Sequence, residues 1–260
     1  MAIINTTPDS FFEGSRVEGE LAIAKALEMV QCGADILDIG GESSRPDAEF
    51  VNEATELQRV IPVIKGIAAK SSIPISIDTV KPAVAKAAIE EGATLLNDVS
   101  GFNDPGMVAL ASAAQVKICL MHRQGSPKTM QLNPEYPEGI IPHLINWFRK
   151  KIADLMKAGI REEQIIIDPG IGMGKTIAHN VEILENLPRL KALGYPLLFG
   201  ASRKSFIQKI LNKPATELLS ATVVINTLAV QAEADIIRVH DVSAHRDLVN
   251  LLTYIKNAKH

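Results

Sequence analysis

IIIDPGIGMGK, residues 165–175, decides how the rest of the chain is read. Three β-branched apolar residues end abruptly in Asp168, and a glycine-rich turn follows. A buried parallel strand whose last residue faces a site has this form. Gly174-Lys175-Thr176 suggests a nucleotide P-loop, but that pattern needs glycine five residues before Gly174, where Pro169 stands. The dinucleotide fingerprint fails as well, because Gly170, Gly172 and Gly174 alternate. What remains is a carboxylate at a strand end, beside backbone free to approach a ligand closely. A lone Asp168 reads equally well as a turn cap. The arrangement recurs, however, along the whole chain.

Strand-like runs fall at 2–4, 35–39, 74–77, 94–96, 116–121, 164–167, 196–199 and 235–239. Helical periodicity follows each, roughly at 18–31, 52–69, 82–91, 105–114, 142–157, 178–192, 216–233 and 244–257. Gly33, Gly92, Gly159 and Gly194 precede strands, where left-handed helix caps belong. Eight βα units predict a (β/α)8 barrel, an α/β fold of the TIM type, over an open doubly wound sheet. At 260 residues, with no composition shift marking a linker, the chain fits one domain spanning 1–260.

Hydrophobic residues make up 47% of the chain but aromatics only 4%, so the core is built from Ile, Leu, Val and Ala. A net charge of −3 argues against a nucleic-acid partner and says nothing about small anions. Cys32 and Cys119 lie in apolar surroundings, as reduced core residues of a cytoplasmic protein do. No secretory leader is expected, and the apolar run 218–230 is too short and too interrupted to span a membrane.

The polar residues that end the strands are Asn5, Asp38, Asp78, Asn97 with Asp98, His122, Asp168, Ser202 with Arg203 and Lys204, and Arg238 with His240. Any one of them could be a helix cap. In a barrel all these ends meet on one face, where active sites of the fold sit. Asp78, Asn97 and Asp168 supply acceptors and an amide for the edge of a flat, nitrogen-rich ring, with Met121 and Met173 to pack on its faces. Arg45, Arg203, Lys204, Arg238 and His240 supply positive charge for an anion such as a phosphate. Residues 202–210 read as the short extra helix of a barrel phosphate site. The loops 6–18 and 40–51 are polar and glycine-bearing, suited to act as lids.

The motifs MAIINTTPDSF, ADILDIGGESSRP, ISIDTVKP, LLNDVSG, CLMHRQGSPKTMQ, IIIDPGIGMGKT, GASRKSFI and IIRVHDV follow in that order. Together they closely resemble the successive motifs of the dihydropteroate synthase family. The resemblance implies a transferase of alkyl or aryl groups in folate biosynthesis, working in the cytoplasm as a homodimer. Such an enzyme condenses 6-hydroxymethyl-7,8-dihydropterin pyrophosphate with p-aminobenzoate by an SN1-like displacement, with Mg²⁺ assisting. It further implies that Asp78, Asn97, Val99, Met121, Asp168, Gly200 and Lys204 surround the pterin. Asn5, Arg45, Arg238 and His240 resemble the pyrophosphate residues, with Asn5 at the metal. Phe11, Ser44, Arg45, Pro46, Met173, Lys204 and Ser205 resemble the p-aminobenzoate pocket. Asp78, Lys204 and Arg238 resemble the catalytic set.

Four positions depart from the family pattern. Ser44 replaces Thr, Met173 replaces a Phe beside the p-aminobenzoate ring, and Glu13 replaces an Asp. Met1 begins almost on strand one, where the family usually has an upstream segment closing the barrel's bottom; if the chain is trimmed, Leu, Ile or Val side chains at the base are expected to be more exposed than normal. Two rival readings share the barrel and the acidic pterin edge: a pterin-dependent corrinoid methyltransferase, and a non-catalytic pterin-binding paralogue. The complete SSRP and SRKS runs speak against the first; the intact anion anchors and first loop speak against the second.

Overall fold

The structure is a computed structural model that describes residues 1–6, 15–42 and 50–258. Eight strands alternate with helices along it. They are β1 (Ala2–Asn5), β2 (Leu37–Gly40), β3 (Ile75–Asp78), β4 (Leu95–Asp98), β5 (Lys117–Met121), β6 (Ile165–Asp168), β7 (Leu198–Phe199) and β8 (Ile236–Ile237). β1 to β6 pair in sequence order, all parallel, and β7 pairs with β8. Bridges from Ile167 to Leu197 and from Ala2 to Val239 join the two sheets at both seams, so the barrel closes. Closure leaves no edge strand to be covered among the described residues. The helices are α1 (Ser15–Gln31), α2 (Glu53–Ala68), α3 (Pro82–Glu90), α4 (Pro105–Ala114), α5 (Ile140–Lys157), α6 (Ile177–Glu185), α7 (Leu187–Lys191), α8 (Ser205–Leu211), α9 (Leu219–Gln231) and α10 (Val242–Asn257).

Alternation along the strands divides the core in two. Ile75, Ile77, Ile118, Leu120, Ile165 and Ile167 join the layer beneath the helices. Met1, Leu95, Cys119, Ile166 and Leu198 form a separate small cluster, the plug at the barrel's base. Met1, Leu95, Ile166 and Leu198 are buried there, with Ile36 and Ile236 half-buried, so the base is not exposed as the sequence led us to expect. The plug is apolar and the layers above it are polar; that gradient aims the chemistry at one mouth.

Several elements differ from the sequence reading. The helix expected over 178–192 breaks at Asn186 into α6 and α7, because Pro188 falls in the first turn of α7. The helix expected from 216 starts at Leu219, after a 3-10 turn at Ala215–Glu217. The four cap glycines have φ of 93°, 109°, 93° and 92° at Gly33, Gly92, Gly159 and Gly194, the left-handed region predicted for them. Cys32 and Cys119 are both unpaired. Among the described residues no helix is long and apolar enough to cross a membrane.

Candidate functional site

At the C-terminal ends of the strands lies a cleft of about 620 Å³. Asn5, Asp78, Met173, Gly200, Lys204, Ser205, Arg238 and His240 line it, from β1, β3, the loops after β6, β7 and β8, and the first turn of α8. Asn97, Met121 and Asp168 are buried at the ends of β4, β5 and β6, while Val99, one residue past β4, is half-buried. Phe11, Glu13, Ser44, Arg45 and Pro46 lie outside the described residues.

A charge cluster forms the cleft's floor. The Arg238 guanidinium donates from Nε to Asp38 Oδ2 at 2.5 Å and from Nη2 to Asp78 Oδ2 at 2.8 Å. Asn97 Nδ2 donates to the same Asp38 oxygen at 3.1 Å. Register explains the meeting: Gly40 of β2 sits opposite Asp78, and Asp78 opposite Asn97. Asp38 lies two residues before Gly40, so its side chain shares the interior face one layer lower. Burial pushes the Asp78 carboxyl up to about 7 against the pull of Arg238. Burial also lowers the Lys204 amine to about 8, opposed by the charge of Asp168, and it raises Asp168, which Lys204 and the Gly170 amide draw back down. Three carboxylates thus face two cations in a site largely shut from water, and the balance suits a developing positive charge.

Asp38 was read only as a strand end, yet it holds both Arg238 and Asn97. Its one signal in the sequence is inward parity with Gly40 on a strand already ending in glycine. Other strand-end residues serve the scaffold instead. Asp98 accepts from the backbone amides of Ser100 and Phe102 at 2.7 and 3.1 Å and so builds the turn into α4. Arg203 pairs bidentately with Asp241 at 2.9 and 2.7 Å, so it is no free cation for an anion. Ser202 Oγ accepts the His240 amide at 3.2 Å and meets His240 Nδ1 at 2.9 Å, holding that imidazole at the cleft wall. His122 turns away, toward Lys175 and Trp147. Asp78, by contrast, is not the cap of α3, where Lys81 occupies the N-cap position without a side-chain hydrogen bond.

The family model described as pterin binding enzyme matches residues 1–240. The chain is 44% identical over 245 residues to the dihydropteroate synthase of Clostridium beijerinckii, covering 93% of this chain and 88% of the relative. The Yersinia pestis dihydropteroate synthase, solved with a sulfonamide drug complex, superposes with a TM-score of 0.94 at 37% identity. That match covers 99% of this chain and 94% of the other. The Xanthomonas albilineans dihydropteroate synthase in complex with 7,8-dihydropteroate gives a TM-score of 0.89 at 36% identity, covering 98% and 92%.

Proposed function

Since the chain belongs to the pterin-binding enzyme family and is a transferase with dihydropteroate synthase activity in folate biosynthesis, we propose how its own residues divide that work. The substrates are 6-hydroxymethyl-7,8-dihydropterin pyrophosphate and p-aminobenzoate, and the products are 7,8-dihydropteroate and pyrophosphate. The whole of 1–260 serves as one pterin-binding unit. The observation that carries the assignment of roles is the buried Asp38–Arg238–Asp78 cluster with Asn97, Asp168 and Lys204 around it.

Asp78, Asn97 and Asp168 pair the ring edge of the pterin, with Val99, Met121, Gly200 and the Lys204 stem against its faces. Asn5, Arg45 and His240 take the diphosphate at the mouth, and Arg238, held by two carboxylates, orients Asp78 while facing the same anion. The carbon–oxygen bond to the diphosphate breaks first, and the electron pair leaves with pyrophosphate. The methylene cation left on the pterin is stabilised by the Asp78 carboxylate until the p-aminobenzoate nitrogen attacks and loses a proton to solvent. Phe11, Ser44, Arg45, Pro46, Met173, Lys204 and Ser205 form the p-aminobenzoate side. No protein nucleophile enters this scheme.

Among the described residues no cluster of His, Cys, Asp and Glu could hold a metal. Asn5 offers a single amide oxygen at the cleft, a donor set that fits Mg²⁺ carried in on the diphosphate with most of its water retained. Bound so, the ion would neutralise charge on the leaving group.

We also place the working form as a cytoplasmic homodimer joined through α9 and α10, where Val224, Leu228, Leu251 and Tyr254 are exposed. The test of the activity is pyrophosphate release from dihydropterin pyrophosphate, with and without p-aminobenzoate and Mg²⁺. Release that depends on both supports the assignment. Pterin binding with no p-aminobenzoate-dependent release would instead mark a non-catalytic pterin binder.

A further inference from the structure

The loop 170–174 is pinned at nearly every polar atom, and its pins come from four separate segments. Ile171 O accepts from Lys204 Nζ, Gly172 O from Gln131 Nε2 at 2.6 Å, Met173 O from Lys175 Nζ at 3.0 Å and Gly174 O from Tyr136 Oη at 2.7 Å. Gly170 N donates to Asp168 Oδ1 at 2.7 Å and Gly172 N to Asn180 Oδ1 at 2.7 Å. Lys175 is the least ordinary of these partners. It is 3% exposed, lies off the cleft and touches none of its lining side chains by hydrogen bond. Its remaining two contacts are His122 Nδ1 at 3.1 Å and His122 O at 3.3 Å, at the end of β5. An ammonium has three N–H groups, and here three acceptors meet them. Because His122 Nδ1 accepts, its Nε2 carries the proton and donates to His143 Nε2 at 3.2 Å. Burial holds His122 neutral, its pKa lowered to about 2.

We propose that Lys175 is a positioning residue that fixes Met173, and with it the p-aminobenzoate wall of the cleft, by clamping the 170–174 loop to the end of β5. This rests on the placement of Met173 beside p-aminobenzoate given above. The clamp acts on that side: Lys175 Nζ bonds the Met173 carbonyl directly and makes no hydrogen bond to Asp78, Asn97 or Asp168. Preorganisation of this kind is read in KM for the ligand whose wall is loosened.

The experiment uses full-length Lys175→Met and Tyr136→Phe in steady-state pyrophosphate release, varying each substrate in turn. Lys175→Met keeps the stem and loses the three donors; Tyr136→Phe removes one hydroxyl from a neighbouring pin. At pH 6.5, KM for p-aminobenzoate should rise at least about tenfold in Lys175→Met and about threefold in Tyr136→Phe, while KM for the pterin substrate and kcat stay within about threefold. Burial brings Lys175 down to about 7, so above that pH the wild-type amine keeps two donors of three. The wild-type KM for p-aminobenzoate should therefore climb from pH 6.5 to 8.5 more steeply than that of Lys175→Met. His122, His143, His179, Asp168 and Lys204 surround Lys175 in both proteins, so the difference between them belongs to Lys175. Unchanged p-aminobenzoate KM in both variants, or an equal rise for both substrates, overturns the proposal. If Lys175→Met does not fold, Tyr136→Phe decides alone. Wild-type protein that releases no pyrophosphate with p-aminobenzoate would sink the activity itself and leave the clamp aside.

Discussion

Asp78 must be ionised to pair the ring and meet a cation, and Lys204 must be protonated to draw on the anion. With these groups near 7 and 8, kcat/KM for the pterin substrate should be bell-shaped, rising as pH climbs through about 7 and falling above about 8. The acid limb belongs to Asp78, raised by burial and held back by the charge of Arg238. It should vanish in Asp78→Asn, whose kcat/KM, like that of Lys204→Ala, should fall at least about tenfold, roughly 1.4 kcal/mol. A limb unchanged in Asp78→Asn would disprove the assignment. Stability carries the opposite sign. The folded Asp78 value lies above the ordinary 3.8, so the unfolded chain ionises first and this group opposes folding increasingly as pH rises from about 4 to about 7. At pH 8, Asp78→Asn should thus lose activity without a lower Tm, in contrast to Asp38→Ala. The latter strips acceptors from both Arg238 and Asn97 and should cost about 3–5 kcal/mol, seen as a drop in urea midpoint. Asp38 also marks where residue-level reading fell short. Its sequence neighbours resemble those of any strand end, and only the register of β1, β2 and β3 reveals which carboxylate lies under Arg238.

At the scale of the element, the β6–α6 loop shows what alternating glycines are for. Gly170 and Gly172 have φ of 70° and 75°, where a side chain is strained in any surroundings. The space around them differs sharply. A Cβ on Gly170 would lie 2.0 Å from His122 O, a backbone atom with no room to yield, whereas one on Gly172 would meet Lys204 Cδ at 3.2 Å. Gly170→Ala should therefore destabilise the fold by about 3 kcal/mol or more, and Gly172→Ala by nearer 1, mostly backbone strain. Activity should rank differently: Gly172→Ala pushes on the Lys204 stem and should lower kcat/KM despite its milder melting shift. Equal melting shifts for the two would contradict this account. The same loop explains why the GKT triplet misleads. Lys175, which a P-loop would aim at phosphates, turns inward to three acceptors; Pro169 marked in the sequence only that the P-loop pattern fails. Pro188 gave an equally plain mark that the helix over 178–192 breaks, but periodicity on both sides of it masked the break. The shortness of β7 and β8 left no such mark, since strand ladders end where barrel twist separates backbones rather than where side chains change.

At the scale of the molecule, eight apolar runs with polar ends were enough to read a closed barrel with a cleft at the strand ends, because closure forces distant strand ends together. Periodicity does not say which side of the apolar run 218–230 faces out. In α9 the buried side chains are Thr222, Asn226 and Ala229, while Val224 and Leu228 stand 59% and 47% exposed. That helix is apolar nearly all round, so Val224 and Leu228 meet water where a lone chain would carry polar residues, and neighbouring α10 adds Leu251 and Tyr254, 61% and 73% exposed. Such a patch is costly to leave wet and is the mark of a covered surface. We propose that a second copy covers it under a two-fold axis, each copy's patch meeting its twin. Light scattering should return twice the 28.1 kDa of one chain at micromolar concentration. Val224→Asp with Leu228→Asp should give the mass of a single chain, because two carboxylates cannot be desolvated there without partners. The cleft opens at the strand ends, and none of its lining residues belongs to α9 or α10. The separated chain should accordingly keep kcat/KM within about threefold of wild type, since nothing it touches in the substrate has moved. A wild-type protein of single-chain mass, or a charged variant that still pairs, would remove the two-fold interface from this face.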